Sequence, residues 1–336
     1  MLNNKSILIT GATGSFGKTF VKTILKKYPR VKKIVLFSRD ELKQFELQRE
    51  LNPQKIRHLR YFLGDIRDKD RLMIAFRGID IVIHAAALKQ VPASEYNPFE
   101  FIKTNVIGAQ NILEAALFNK VKKIIALSTD KASSPINLYG ATKLCSDKSF
   151  LAAQNMFGER DKLSITVVRY GNVLASRGSV IPFFNRQIKE KKFLTLTHKD
   201  MTRFSIFLEE GVETVLWSIK NAKGGEIIVP KAPSMRIQDL AKVIAGNRIK
   251  VIGKRSGEKI HEELISANES EHTIDLGNYY AILPENNFNF LAKLYKKQFK
   301  FKKFPKNKSY NSEHNIKFLN HKEIKNILKK LKFIPD

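Results

Sequence analysis

Ser6-Ile-Leu-Ile-Thr10, followed at once by Gly11-Ala-Thr-Gly14-Ser-Phe-Gly17, is the stretch that decides the fold of this chain. The apolar run is typical of a buried parallel strand, and the residues from Lys18 to Lys27 indicate a helix. A strand, a glycine turn and a helix in this order are the context of a dinucleotide-binding fingerprint. The helix N-terminus offers free N–H groups and a positive dipole end to a pyrophosphate. We therefore predict these cofactor-binding residues in the turn: Gly11, Thr13, Gly14, Ser15, Phe16 and Gly17.

Further apolar runs alternate with helical patterns along the first half of the chain. We expect strands at residues 33–37, 60–63, 79–84, 123–128 and 164–169, and helices at 98–119 and 139–156. This alternation predicts an α/β fold, a doubly wound parallel (Rossmann) sheet whose ligands gather at the carboxyl ends of the strands. After residue 175 the alternation weakens. We therefore predict a dinucleotide-binding domain over 1–175 with returning segments, a smaller discontinuous substrate lobe over 176–290, and a Lys-rich extension over 291–336.

The end of the second strand bears on the choice of dinucleotide. An NAD-specific protein usually has an acidic side chain there, facing the ribose 2′-hydroxyl. Here Ser38 and Arg39 follow the strand, and Lys43 lies about one helical turn further. A hydroxyl and two cations suit a 2′-phosphate, so we predict NADP. The alternative is that Arg39 is a solvated surface residue and that Asp40 binds the ribose.

The next two strand ends supply further candidate cofactor contacts. Asp65 can bind the adenine amine and Ile66 can pack on the ring. Ala85 and the small residues after it allow the cofactor to lie close to the backbone. We interpret His84 as a packed residue at the end of its strand.

Thr129, Asp130 and Lys131, with Tyr139 and Lys143 after them, are the candidate catalytic residues. Tyr139 and Lys143 are four residues apart and share one helix face. The lysine charge would lower the pKa of the phenol, so that a tyrosinate accepts an alcohol proton while a nicotinamide takes the hydride. The spacing alone also occurs by chance; the glycine turn at the start of the chain favours the catalytic interpretation. Simple alcohol oxidation does not need Asp130 and Lys131.

With these motifs in order, the chain resembles the extended short-chain dehydrogenase/reductase family over roughly residues 5 to 285. Within it, the chain is similar to the inverting UDP-N-acetylglucosamine 4,6-dehydratases, the first enzymes of pseudaminic acid synthesis. Retaining sugar-nucleotide dehydratases usually carry Asp-Glu where this chain has Asp130-Lys131. The motifs that carry the resemblance are Thr129-Asp130-Lys131, Tyr139-Gly-Ala-Thr-Lys143, Arg169-Tyr-Gly-Asn172-Val173 and Met201-Thr-Arg203-Phe204.

The resemblance implies a lyase that acts on UDP-N-acetylglucosamine. Tyr139 would remove the 4-hydroxyl proton, Lys131 would remove the hydrogen on C5, and Asp130 would protonate the departing 6-hydroxyl. Hydride return to C6 and a proton added to the opposite face of C5 would give a 4-keto-6-deoxy-L-arabino sugar. A retaining dehydratase and a UDP-sugar 4-epimerase are near alternatives. A non-enzymatic NADP sensor or a nucleic-acid binder is a more distant one.

The resemblance also implies residues around the cofactor and the substrate. Lys89 would touch both, and Asn105 would hold backbone or water near the site. Asn172 and Val173 would lie near the sugar and the nicotinamide. The remaining implied substrate ligands are Arg203 and Arg255 for the diphosphate and Glu258 for a ribose hydroxyl. We expect no metal, because the spacing in His261-Glu-Glu does not match a zinc motif.

Composition and net charge limit the partners and the compartment that we expect for this protein. The net charge is +28, and the segment from Lys293 to Lys332 holds fourteen Lys against two Glu. We attribute this charge to a lysine-rich proteome and to attraction for anionic ligands, and expect neither nucleic acid nor membrane as a partner. The single Cys145 fits a reducing compartment. With no signal peptide or membrane span expected, we predict a cytoplasmic homo-oligomer, a dimer or hexamer. The resemblance places its product in flagellin modification or surface polysaccharide.

Overall fold

The computed structural model describes residues 1–158, 160–176 and 178–333. Strands form at the apolar runs, because Val- and Ile-rich segments suit a sheet that is buried on both faces. The strands of these residues are β1 (Ser6–Thr10), β2 (Lys33–Ser38), β3 (Leu59–Leu63), β4 (Ile81–His84), β5 (Lys123–Thr129), β6 (Ser164–Tyr170), β7 (Asn172–Val173), β8 (Leu194–Leu196), β9 (Thr202–Ile206), β10 (Ile227–Pro230), β11 (Ser234–Arg236), β12 (Ile249–Val251), β13 (Glu263–Ile265), β14 (Thr273–Asp275), β15 (Tyr279–Ile282), β16 (Lys302–Lys303) and β17 (Tyr310–Asn311).

Helices connect the strands and cover the sheet. A π-helical turn at Ile102–Ile107 interrupts what the sequence predicts as one helix over 98–119. The α-helices are α1 (Ser15–Lys27), α2 (Glu41–Glu50), α3 (Lys69–Ala75), α4 (Val91–Tyr96), α5 (Pro98–Phe101), α6 (Gly108–Phe118), α7 (Leu138–Phe157), α8 (Val180–Lys189), α9 (Leu208–Asn221), α10 (Ile237–Ala245), α11 (Phe288–Lys296) and α12 (His321–Lys330). Single 3₁₀ turns lie at Asp130–Ala132, Ser270–His272 and Glu285–Asn287.

The main sheet has ten strands in the order β16-β14-β15-β10-β6-β5-β4-β1-β2-β3. The seven strands from β10 to β3 are parallel to one another. Strand β1 is central and fully buried, paired with β2 on one side and β4 on the other. The order reverses at β1, so the crevice for a ligand opens at the carboxyl ends of these strands. The predicted doubly wound parallel sheet is confirmed.

The sheet continues past its parallel part with three antiparallel strands that the sequence analysis did not predict. Strand β15 pairs with β10 and β14, and β14 pairs with β16. These strands have two to four residues each, which is too short for a hydrophobic period to be recognised. They bring residues after 270 back onto the dinucleotide-binding half of the molecule.

A second, smaller core lies under the sheet of β11, β9 and β7 and the pair of β12 and β8. The Lys-rich C-terminal segment contributes to both cores. Tyr295 and Tyr310 are buried in the main core, while Ile324 and Leu328 of α12 are buried in the smaller one. The lysines from Lys322 to Lys330 thus belong to the helix α12. Its lysines lie on the solvent face of an amphipathic helix, which is where a large part of this helix's charge is placed.

Candidate active site

One large cavity opens along the carboxyl ends of β1, β2, β4 and β5, as the sheet order requires. It encloses about 1100 Å³ and extends from the glycine turn to the start of α7. The cavity brings together the following residues that the sequence predicts for the site: Gly11, Thr13, Gly14, Ser15, Phe16, Gly17, Ser38, Arg39, Lys43, Asp65, Ile66, Ala85, Lys89, Thr129, Asp130, Lys131, Tyr139, Lys143, Asn172 and Val173.

The glycine turn has the close approaches that a dinucleotide cradle needs. Gly11 has φ +66°, and a Cβ there would lie 3.0 Å from the backbone nitrogen of Ala86. A Cβ on Gly17 would lie 2.6 Å from the Cα of Ala12, so only glycine lets α1 pack on the turn. Within the described part of the chain, no side chain caps the N-terminus of α1 at Gly14, and the first turn of this helix lines the cavity. This end of the cavity fits a pyrophosphate.

The side chains after β2 form a charged rim. Arg39 is half exposed, and its Nη1 lies 3.6 Å from the carboxylate of Asp65. Asp65 also accepts hydrogen bonds from the guanidinium of Arg67, at 2.8 Å and 3.1 Å. Lys43 forms an ion pair with Asp40, which caps α2. This rim therefore carries three cations against two carboxylates.

Ser38 is buried at the end of β2 and accepts a hydrogen bond of 2.9 Å from Gln44. His84 is buried at the end of β4, and its Nδ1 lies 3.0 Å from Thr10 Oγ1. Burial lowers the pKa of His84 to about 3, so the ring is neutral. This agrees with the interpretation of His84 as a packed residue.

Tyr139 and Lys143 lie on successive turns of α7, as their spacing predicts. The helix approaches the preceding loop so closely that a Cβ on Gly140 would lie 2.2 Å from the carbonyl oxygen of Lys131. Glycine after Tyr139 is therefore what brings the phenol next to the Asp130-Lys131 turn. The Nζ of Lys143 donates to the carbonyl of Leu127 at 2.8 Å.

The electrostatics of Tyr139 differ from the prediction. Burial raises its pKa to about 12, although the Lys131 ammonium and a hydrogen bond with Thr129 act in the opposite direction. The prediction that Lys143 lowers the pKa of the Tyr139 phenol is therefore wrong for the protein by itself. Burial also lowers the pKa of Lys143, although the charge of Asp147, one turn further along α7, acts in the opposite direction.

Asp130, which is buried, and Lys131, which is partly exposed, form an acid–amine pair beside the phenol. Asp130 is 1 % exposed, and its Oδ1 accepts from Thr129 Oγ1 at 2.8 Å and from Lys131 Nζ at 3.1 Å. Its Oδ2 is buried with no hydrogen-bond partner among the described residues. Burial raises the pKa of the Asp130 carboxyl. Burial opposes the charge on Lys131, but two carboxylates next to the amine raise its pKa above the ordinary value.

The second of those carboxylates belongs to Glu262, which the sequence analysis missed. Its Oε1 lies 3.1 Å from Lys131 Nζ and 3.6 Å from Arg203 Nε. Burial alone would raise the pKa of Glu262, but the charges of Lys131 and Arg203 lower it below the ordinary value. The only sequence signal was an acidic residue beside His261, which we considered as a metal ligand and rejected.

Arg203 is buried and holds the segment that carries Glu262. Its guanidinium donates to the carbonyls of Thr202, Ile260 and Lys259 at 2.7, 2.8 and 3.0 Å. Its donors are thus directed at the backbone, and its role as a diphosphate ligand stays a prediction. Arg255 is exposed, and its backbone N–H donates to Glu258 at 3.1 Å.

Asn105 lies in the π-helical turn and is 2 % exposed. Its side chain bonds the backbone N–H and C=O of Leu88, both at 2.9 Å, and donates to Thr142 on α7 at 3.1 Å. Asn105 thus fixes the segment after β4, which carries Lys89, relative to the helix of Tyr139. Asn172 and Val173 line the cavity from β7.

Two surveys of the described residues bear on the sequence predictions. Among them, no group of three or more His, Cys, Asp or Glu is arranged to hold a metal ion. In the same part of the chain, none of the helices has both the length and the apolar character that crossing a bilayer requires.

Comparison with known proteins identifies relatives of this chain and proteins of the same fold. The polysaccharide biosynthesis protein family matches residues 7–284. A curated inverting UDP-N-acetylglucosamine 4,6-dehydratase of Campylobacter jejuni is 50% identical over 98% of this chain and 98% of its own length. A curated UDP-glucose 4-epimerase of Rickettsia bellii is 44% identical over 100% of this chain and 98% of its own.

A solved structure points the same way. The X-ray structure of Pen from Bacillus thuringiensis superposes with a TM-score of 0.89 at 35% identity, covering 99% of this chain and 100% of that one. The family match spans most of the chain, and the relatives extend over its whole length. This chain is a member of the polysaccharide biosynthesis protein family.

Proposed function

We propose that this chain is a UDP-N-acetylglucosamine 4,6-dehydratase that inverts C5 and uses NADP. The observation that carries the proposal is the Asp130–Lys131 pair beside Tyr139, in which the carboxyl is buried. An oxidation alone needs the tyrosine and a nicotinamide, whereas an elimination of water also needs a base for a carbon-bound proton and an acid for the leaving hydroxyl. The 50% identity to the Campylobacter dehydratase over nearly the whole chain supports the same reaction.

Tyr139 begins the reaction by taking the proton of the sugar 4-hydroxyl. When bound, the nicotinamide supplies a hydride acceptor and a positive charge, and it is regenerated within each turnover. The Thr129 hydroxyl and the Lys131 ammonium already stabilise the phenolate against the effect of burial. The resulting 4-ketone acidifies the hydrogen on C5.

Asp130 and Lys131 then carry out the elimination. A proton that moves from Lys131 Nζ to Asp130 Oδ1, 3.1 Å apart, gives a neutral amine and a carboxylic acid at the same time. The raised pKa of the Asp130 carboxyl makes this transfer less costly. The amine removes the C5 proton, the carboxylic acid protonates the 6-hydroxyl, and water leaves. A hydride returned to C6 and a proton added to the opposite face of C5 then saturate the C5–C6 double bond, which gives the C6 methyl group and inverts C5.

The first prediction concerns the proposed preference for NADP over NAD. Arg39 lines the cavity after β2 and is half exposed there, where a 2′-phosphate would lie. A hydrogen bond to a charged group contributes about 1.5–3 kcal/mol, so Arg39→Ala should weaken NADP⁺ binding about 10–100-fold. Binding of NAD⁺ should change little. Titration calorimetry with both dinucleotides measures this, and equal losses for the two would contradict the assignment.

The reaction class is tested by a substrate panel. The protein with NADP⁺ should convert UDP-N-acetylglucosamine to a 4-keto-6-deoxy sugar and leave UDP-glucose and dTDP-glucose unchanged. NMR of the product distinguishes the outcomes, because a dehydrated sugar has a C6 methyl group. Dehydration of UDP-glucose in preference to the acetamido sugar would contradict the proposed substrate.

A UDP-glucose 4-epimerase is the second candidate, since the Rickettsia relative bears that name over the whole chain. An epimerase would re-reduce C4 on the opposite face and leave C5 and C6 intact. It has no use for a buried acid and amine beside the phenol. Formation of a 4-epimer without a C6 methyl signal would favour this candidate. A cytoplasmic location, a dimer or hexamer, and a role in pseudaminic acid synthesis or flagellin modification stay predictions.

A further inference from the structure

Glu262 is the buried acidic residue in contact with the acid–amine pair. It is 2 % exposed and lies at the end of the segment that precedes β13, far in sequence from Lys131. One carboxylate oxygen lies 3.1 Å from Lys131 Nζ. The other oxygen is buried without a hydrogen-bond partner among the described residues. A buried carboxylate lowers the stability of the fold unless it is paired. The position of Glu262 against the Lys131 amine, at the edge of the cavity, therefore indicates a function.

Several contacts fix Glu262 in this position. Its backbone N–H donates to Ser312 Oγ at 2.9 Å, and Ser312 also lies 2.7 Å from the hydroxyl of Thr202. Lys259, on the same segment, donates to the carbonyl of Ser133 at 2.7 Å. The segment is therefore tied both to the loop after Lys131 and to the C-terminal part of the chain.

We propose that Glu262 is a positioning residue that holds the Lys131 amine against Asp130 and sets the proton affinity of the Asp130–Lys131 pair. Its catalytic meaning rests on the proposed function. The pair can act as base and acid when it holds one proton, because the amine must be neutral while the carboxyl is protonated. At low pH the pair takes up a second proton, the amine is an ammonium, and no base remains.

The sign of the effect follows from these charges. Wild-type activity should fall as the pH falls through the pKa of the Asp130 carboxyl. The negative charge of Glu262 raises the pKa of the Asp130 carboxyl because it repels the Asp130 carboxylate. It also pairs with the Lys131 ammonium, which would otherwise stabilise the Asp130 carboxylate alone. Glu262→Gln removes the charge, so the pKa should fall and the acid limb should move to lower pH. The other ionisable groups that face this cluster are Tyr139, Lys89, Arg203 and Lys259.

The test compares three variants with the wild-type holoenzyme. Glu262→Gln should move the acid limb of kcat/KM for dehydration down by about 1–3 pH units, the range expected for removing one nearby charge. Glu262→Asp keeps the charge and should leave the limb near its wild-type position with a lower rate. Glu263→Gln is the matched control, because that carboxylate accepts from Ser133 and Ser134 and not from Lys131.

Carbon NMR titration of isotope-labelled aspartate carboxyls gives a second readout that needs no turnover. Asp130→Asn identifies the signal of Asp130, whose pKa should fall in Glu262→Gln and hold in Glu263→Gln. An unchanged Asp130 pKa in Glu262→Gln overturns the inference, as does an equal shift in the control. If the pKa of Asp130 falls but the acid limb of kcat/KM does not move, the catalytic part of the inference is overturned. If the wild type forms no dehydrated product, the proposed function fails while the titration still decides the role of Glu262.

Discussion

Lys131→Ala is expected to abolish formation of the 4-keto-6-deoxy product while leaving the first oxidation in place. The amine is the group in this account that removes the C5 proton, and a positioned base contributes about 10²–10⁴-fold in rate. Tyr139 and the dinucleotide cradle stay in the site, so the first oxidation continues, although more slowly because the Lys131 ammonium no longer stabilises the phenolate. Reduced nicotinamide should therefore accumulate in a single turnover, and its near-ultraviolet absorbance should rise without a product signal in NMR.

The alanine variant also removes the charge that neutralises Asp130 and Glu262. Breaking a buried ion pair costs about 3–5 kcal/mol of folding stability, so misfolding has to be separated from lost chemistry. Lys131→Arg does this, because a guanidinium keeps the charge but does not lose its proton near neutral pH. It should fold and fail to dehydrate. Lys192→Ala, at an exposed lysine, serves as the control for a lost surface charge. Near-wild-type dehydration by Lys131→Arg would contradict the role of the amine.

Tyr139→Phe is expected to block the first oxidation. Phe keeps the packing of a side chain that is 8 % exposed but removes the hydroxyl that accepts the 4-hydroxyl proton. The loss should be about 10²–10⁴-fold, and every later step should be lost with it. Unlike Lys131→Ala, this variant should show no rise in reduced nicotinamide. Single-turnover absorbance distinguishes the two variants directly.

A matched control keeps that result interpretable. Tyr61 lies on β3, and its hydroxyl donates to the carbonyl of Leu51 at 2.7 Å, away from the cavity. Tyr61→Phe removes a tyrosine hydroxyl and should retain activity. Reduction of the cofactor by Tyr139→Phe at the wild-type rate would show that another group takes the proton.

The parts of the site that the sequence predicted depend on local spacing. Gly11, Gly14 and Gly17 follow a strand directly, and Tyr139 and Lys143 are one helical turn apart. In such cases secondary structure alone brings the residues to the same place. The strand ends also fall at a common edge once the sheet is known to be parallel, which is why Asp65 and Ala85 line the predicted cavity.

The parts that were missed depend on contacts between distant segments. Glu262 meets Lys131 only because the segment before β13 folds over the turn after β5, and no period in the sequence predicts that contact. The pKa of Tyr139 was misjudged for a related reason. A helical spacing gives the distance to Lys143, but the burial that raises the pKa comes from the whole fold.

The C-terminal segment is another part of the chain whose packing the sequence did not predict. Its composition suggests a charged extension, yet Ser312 holds the backbone of Glu262, and Ile324 lies in the smaller of the two cores. The composition of the segment reflects the solvent-exposed faces of its elements, whereas a few buried residues determine where these elements pack. The described part of this segment thus belongs to the support of the site.

The fate of the hydrogen on C5 tests the central claim most directly. The wild-type protein should be incubated with NADP⁺ and UDP-N-acetylglucosamine in D₂O, and the product examined by NMR. This account predicts a C6 methyl group and solvent deuterium at an inverted C5. A product that retains its original hydrogen and configuration at C5 would contradict it, because the Asp130–Lys131 pair would then have no carbon-bound proton to remove.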